Sequence, residues 1–242
     1  MNIDLSKTEN FEEKLKMWLQ EVATKCHDYA LKNDVDFYVF QSALPQKPNP
    51  DLLIIGINPG GYVSYNGAMH KLKMEKRTAQ HLAAGINMYT TKNVNNEKMR
   101  RVMLGNDVDK NFTDDCIFHN QYLFDLLDNA TIMNMFYFNT KKEGDITKMC
   151  QENELQYCKD KTLEFIEMLN PTNILFFTTS EKNLYPMGVE KIKSIGSYVK
   201  EGKLKGRTVY AMPHPSGWRG WNMGENRKKQ AGEKLEEILQ TT

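Results

Sequence analysis

Two short loops carry the residues best suited to chemistry. The first, Gly56-Ile57-Asn58-Pro59-Gly60-Gly61, sets one amide side chain among turn-formers, directly after an apolar run at 52–57. Loops that bring backbone close to a ligand are built this way, because glycine admits approaches that a Cβ forbids. An amide has no useful proton affinity near neutral pH, so Asn58 is no general base. Its carbonyl oxygen can orient a water, and its other reading is a plain turn with Pro59. The second loop, Met212-Pro213-His214-Pro215-Ser216-Gly217, fixes the backbone on both sides of a histidine. The two prolines leave His214 little conformational entropy to lose, so its imidazole is aimed. A third polar group, Asn134, lies in the apolar run Ile132-Met133-Asn134-Met135-Phe136. A buried amide needs partners or costs about 1–3 kcal/mol, and either a ligand or a neighbouring strand could supply them.

The elements that must position these groups are legible as alternating patterns. Apolar residues Phe11, Leu15, Trp18, Leu19, Val22 and Ala23 recur at helical spacing over 8–32, with Asn10 or Thr8 as the cap. Three prolines at 45, 48 and 50 block helix and central strand alike. Strands are expected at 52–57, 131–139, 173–179, 198–200 and 207–212, the last two joined by the turn Glu201-Gly202-Lys203. Helices are expected at 71–86, 116–128, 146–169 and 225–239, with a mixed helical stretch at 180–195. The fold class is therefore α/β, a three-layer α/β/α sandwich around a central, mainly parallel sheet of four or five strands. In such sheets ligands bind beyond the carboxyl ends of strands, where Asn58, Asn134 and His214 all fall.

Bulk composition narrows the class further. The 242 residues suit one domain, with an N-terminal helical segment at 1–45 and a polar insertion near 88–113 carrying a short helix. Basic and acidic side chains nearly balance, 32 against 31, which argues against a general polyanion-coating role but allows a local basic face. No apolar run approaches the roughly 18 residues of a membrane span, and the N-terminus does not read as a signal peptide. Cys26, Cys116, Cys150 and Cys158 lack the close pairing of zinc or iron–sulfur ligands, so reduced thiols in a cytoplasmic protein are expected. No metal or cofactor is expected either.

Together, Gly-Ile-Asn-Pro-Gly after an early strand and His-Pro-Ser-Gly after a late one resemble the paired motifs of the uracil-DNA glycosylase superfamily. The first motif is similar to that of the mismatch-specific and single-strand-selective monofunctional branches, which use Asn where the uracil-strict branch uses Asp. The His-Pro-Ser motif is similar to that of the uracil-strict and single-strand-selective branches. Gly217 and the following Trp218-Arg219-Gly220-Trp221 depart from the single-strand-selective pattern. The resemblance spans the chain from about residue 52 to the C-terminal helix, leaving out 1–45 and 88–113.

That resemblance implies a base-excising hydrolase acting on DNA. A base in a duplex must first be flipped out, at a cost of a few kcal/mol. His214 would then donate a hydrogen bond to a carbonyl oxygen of the leaving base, where negative charge develops. Asn58 would place the water, and Asn134 would read the base's Watson–Crick edge. Ile57 and Gly60 would line the base. Glycine at 60, where the uracil-strict branch has a tyrosine, leaves room for a substituent at C5. Either Tyr62 or Tyr65 would stack on the base. Ser216 and Gly217 would hold a phosphate, Trp218 and Arg219 would fill the vacated stack, and Arg227 would add to a basic face. Two other readings stay open: a glycosylase for a different modified base, and a DNA-binding module that keeps the fold without catalysis.

Overall fold

In the computed structural model, which describes residues 10–61, 63–91, 97–105, 116–140, 146–196, 198–215 and 226–240, strands and helices alternate as the patterning requires. The helices are α1 Phe11–Asn33, α2 Tyr65–Leu72, α3 Glu97–Leu104, α4 Gln121–Asp128, α5 Ile146–Met149, α6 Glu152–Leu169, α7 Glu181–Leu184 and α8 Arg227–Gln240. The strands are β1 Leu52–Gly56, β2 Thr131–Asn134, β3 Asn173–Phe176, β4 Val189–Ser194, β5 Lys200–Leu204 and β6 Arg207–Ala211. They form one sheet in the order β2-β1-β3-β6-β5-β4. Strands β1, β3 and β6 run parallel, and β5 and β4 complete the sheet antiparallel. The α/β class is as expected, with six strands where four or five were read.

Two compact units share the chain. One comprises Met1–Asn49, Ile57–Gly85 and Met133–Asn170; the other comprises Pro50–Gly56, Ile86–Ile132 and Pro171–Thr242.

The first unit is built on the long helices. Asn10 caps α1 by accepting the Glu12 amide at 3.0 Å. The apolar face of α1 buries Trp18 completely, its ring against Phe165 at 5.1 Å, Phe40 at 6.1 Å and Tyr137 at 6.4 Å. Buried Glu154 closes the capping box of α6 and takes Lys32 at 3.2 Å and Asn33 at 2.8 Å from the end of α1. A charge buried with three donors is held rather than orphaned. That box also explains why the helical pattern at 146–169 is two helices: Gln151 is a cap, so the ladder restarts there. Residues 71–86, read as a helix, hold only the end of α2 and a 3₁₀ turn at Ala79–Leu82.

In the second unit, side chains from β1, β3, α3, α4 and α8 enclose a core that includes Leu52, Ile54, Val102, Met103, Leu123, Leu175, Leu235 and Leu239. Gly232 in α8 is required there, since a Cβ at that position would stand 2.2 Å from the Ile117 carbonyl. The short helix expected within the polar insertion is α3.

Two strand readings are corrected. The stretch 180–195, read as helical, contains β4. A bulge between Glu190 and Lys193, with Lys191 in the left-handed region (φ 53°), shifts the pleat. Val189 and Ile192 therefore sit three apart, a spacing that imitates a helix. The residues read as the hairpin turn, Glu201-Gly202-Lys203, lie inside β5, and the turn is Lys205-Gly206. Gly202 is there for contact and not for bending, because a Cβ would stand 2.6 Å from Val189 Cγ1.

Candidate functional site

Asn58 comes two residues after the carboxyl end of β1, where the chain leaves the sheet. The loop does not hang free. Phe136 N–H donates to the Ile57 carbonyl at 2.8 Å, Thr140 N–H donates to the Pro59 carbonyl at 3.2 Å, and Gly60 bridges Thr140. Asn58 is partly buried, and its Nδ2 donates to Thr140 Oγ1 at 2.6 Å and to the Pro59 carbonyl at 3.1 Å. A backbone carbonyl only accepts, so the amide orientation is fixed and Oδ1 faces away from these partners. Oδ1 accepts from no group among the described residues. The turn reading of Asn58 is met, with its NH₂ anchored to Thr140 and to the Pro59 carbonyl. Thr140, which sets this geometry, is with Asn139 the polar pair that closes the strand read at 131–139.

Ile57 is buried and meets the loop's surroundings through its backbone. Gly60 is exposed, and a Cβ built on it would meet nothing within 4 Å.

Asn134 is fully buried, and both ends of its amide are engaged. Nδ2 donates to the Val39 carbonyl at 3.2 Å, and Oδ1 accepts from Gln41 Nε2 at 2.7 Å. Of the two partners allowed for it, a neighbouring segment is the one present. Asn139, five residues on, buries an Oδ1 that has no hydrogen-bond partner among the described residues.

Tyr65 is not placed for stacking on a ligand. It opens α2 with its ring fully buried, stacked on Phe37 at 5.8 Å and set edge-on to His27 at 5.7 Å. Its hydroxyl bonds His27 Nδ1 at 2.8 Å and accepts the Arg77 amide at 3.2 Å. Its position in the helix's first turn, packed beneath Phe37, makes it a core residue. Tyr62, Ser216, Gly217, Trp218 and Arg219 lie outside the described residues.

His214 follows β6 by three residues, and Met212 N–H still donates to the Phe176 carbonyl at 2.9 Å, so the loop begins from a tied strand. The imidazole is partly buried and meets Phe177 edge-on at 5.9 Å. Phe177 in turn meets buried Tyr89 at 5.5 Å. This aromatic wall also went unread in the sequence, where Phe177 was one of a run of strand residues. Burial pushes the His214 pKa down to about 4, so the ring is neutral at pH 7 and offers an N–H without a charge.

That shift has a stability consequence with a definite sign. In the unfolded chain the imidazole ionises near about 6.5. As pH falls, the unfolded state therefore takes up the proton first, and folding loses about 3 kcal/mol between pH 6.5 and 4. Urea unfolding at pH 7, 5.5 and 4.5 measures this. The wild type is expected to lose more stability on acidification than His214→Gln, by about that amount; parallel losses would show that His214 does not titrate this way.

Arg227, the first residue of α8, places its guanidinium 5.3 Å from the Tyr198 ring, a cation–π contact that anchors it within its own unit. The four cysteines form no disulfide and are buried, and burial raises Cys26 and pushes Cys150 up to about 12, far from a thiolate at neutral pH. Among the described residues no group of three or more His, Cys, Asp or Glu side chains could hold a metal ion. No described helix is long and apolar enough to cross a membrane. No protein-family model matches the chain, and no curated protein sequence matches it.

Proposed function

We propose that this chain is a DNA glycosylase that hydrolyses the N-glycosidic bond of uracil or a 5-substituted uracil. The observation that carries the reading is the state of Asn58. Its NH₂ is tied to Thr140 and Pro59, and its carbonyl oxygen is left to accept from a water. The neutral, aromatic-backed His214 in the second loop adds to it.

In the reaction, the bond between the sugar C1′ and the base nitrogen breaks, and its electron pair leaves with the base. Positive charge builds on the sugar, as in glycoside hydrolysis. His214 N–H stabilises the anion forming on the base carbonyl. Water supplies a hydroxyl to C1′, and its proton neutralises the departing base. Asn58 accepts a hydrogen bond from that water but takes no proton. The enzyme therefore forgoes part of the roughly 10²–10⁴-fold that a general base contributes, and leans on leaving-group stabilisation.

The test is base release from end-labelled oligonucleotides carrying uracil, 5-hydroxymethyluracil, hypoxanthine or xanthine, single-stranded and paired, with abasic sites revealed by alkali. Release from a uracil-type substrate that falls in Asn58→Ala and His214→Ala is the expected result. DNA binding without release from any of them would move the reading to the non-catalytic module.

The open space at Gly60 makes a specificity prediction. Gly60→Tyr is expected to fold normally, since nothing opposes the added side chain at its base. It should keep uracil release within severalfold and lower 5-hydroxymethyluracil release by about 100-fold, by a steric block at C5. Equal losses on both substrates would place Gly60 away from C5.

A further inference from the structure

We infer that Gln41, held by Asn134, presents the amide that reads the extruded base, so that Asn134 is a positioning residue; this rests on the glycosylase reading. Segment 133–140 has a neighbour on each side. The Asn58 loop is bonded to Phe136 and Thr140 on one flank. On the other, residues 36–41 run antiparallel, with Phe37 bridged to Phe138, Phe40 bridged to Met133 and Asn134 N–H bonded to the Val39 carbonyl.

The orientation of both amides follows from one backbone group. The Val39 carbonyl can only accept, so the atom of Asn134 facing it is Nδ2. The Asn134 atom facing Gln41 is then Oδ1, an acceptor, and the Gln41 atom facing it must be Nε2. Gln41 is left with its Oε1 and one N–H. Gln41 is 7% exposed, and Oε1 accepts from no group among the described residues. An amide nine-tenths buried, held at Nε2 by Asn134 and with Oε1 accepting from no described group, is suited to read a bound base.

Its chemistry selects an N–H beside a carbonyl, the lactam edge of uracil or hypoxanthine. On uracil, N3–H would donate to Oε1 while the adjacent carbonyl accepts the free N–H. Cytosine has a lone pair at N3, which would face the Gln41 oxygen. Pinning by Asn134 therefore makes the amide discriminate between the two, because the rotation that would suit cytosine is blocked.

The experiment compares base release from uracil- and cytosine-containing oligonucleotides by wild type, Gln41→Leu and Asn134→Ala, with melting temperature and binding to abasic DNA measured for each. Gln41→Leu is expected to lower kcat/KM on uracil by about 100-fold with abasic-DNA binding unchanged. Asn134→Ala, which frees the amide to rotate, is expected to shrink the uracil-to-cytosine ratio by about 10-fold or more, an effect that loose packing alone does not produce. Should Gln41→Leu not fold, Gln41→Met keeps the volume and removes the amide. Uracil release by Gln41→Leu within threefold of wild type would overturn the inference and leave the glycosylase reading standing. If wild type releases no base at all, that reading fails separately, and ligand-observed NMR with 1-methyluracil decides. Binding that Gln41→Leu abolishes would support the role of Gln41, and no binding to wild type would overturn it.

Discussion

His214→Ala is expected to slow base release by about 10²–10³-fold while DNA binding changes little, the effect of removing one donor aimed at developing charge. The size of the loss follows from how the residue is held. Pro213 and Pro215 restrict the backbone, β6 stays tied to β3 up to Met212, and Phe177 backs the ring. Little reorganisation is then needed as charge appears on the base. A partly buried neutral imidazole is also worth more than a solvated one, because the surrounding dielectric screens it less. The pH profile offers an independent check. With the ring's pKa near 4, release should stay level from pH 7.5 to 5.5, where an ordinary histidine would already be half protonated or more. An acid limb centred near pH 6.5 would mean that the ring is solvated when it acts.

Arg77→Met is expected to destabilise the fold by about 3–5 kcal/mol, the cost of leaving a buried carboxylate without its cation. Asp36 is 4% exposed, and Arg77 grips it through two bonds, Nε–Oδ1 at 2.7 Å and Nη2–Oδ2 at 2.6 Å. The Phe37 amide adds a third, at 2.9 Å. Among the described residues, only that amide would remain in the variant. For a chain of this length the loss corresponds to a fall in melting temperature of about 10 °C. Asp36→Asn/Arg77→Met should recover part of it, since the unpaired charge is then gone. A fall of less than 2 °C in the single variant would show that the pair is not desolvated. The pair matters for the site as well as for stability. Asp36 begins the segment that ends at Gln41, and its carbonyl takes the Asn139 amide at 2.8 Å.

How much of this was legible follows from the range of each interaction. The end of β1 and the cap of α1 are local, and Gly56-Ile57-Asn58-Pro59 and Asn10 announced them. The imidazole fixed between two prolines is local too. The buried setting that lowers its pKa is not, because Phe177 comes from another strand. Asn134 shows the limit more sharply. Its burial could be read from its apolar neighbours, yet its partner Gln41 lies 93 residues away and is chosen by the register of two segments. Tyr65 followed the first loop closely enough to suggest stacking, but the side on which a helix's first residue packs depends on Phe37 and His27. In β4 the failure was one of period. A single bulge turned a strand's alternation into a three-residue spacing, and the helical reading followed from it.

The central claim is that this chain releases a free base, and the most direct measurement is the product itself. Enzyme in excess would be incubated with a uracil-containing oligonucleotide, and the small-molecule fraction analysed by chromatography and mass spectrometry. The account predicts one free uracil per oligonucleotide, with the sugar-phosphate chain intact until alkali is added. It also predicts that His214→Ala yields the same product about 10²–10³-fold more slowly. An oligonucleotide bound by folded wild type, yet keeping every base after prolonged incubation on uracil and 5-hydroxymethyluracil alike, would contradict it.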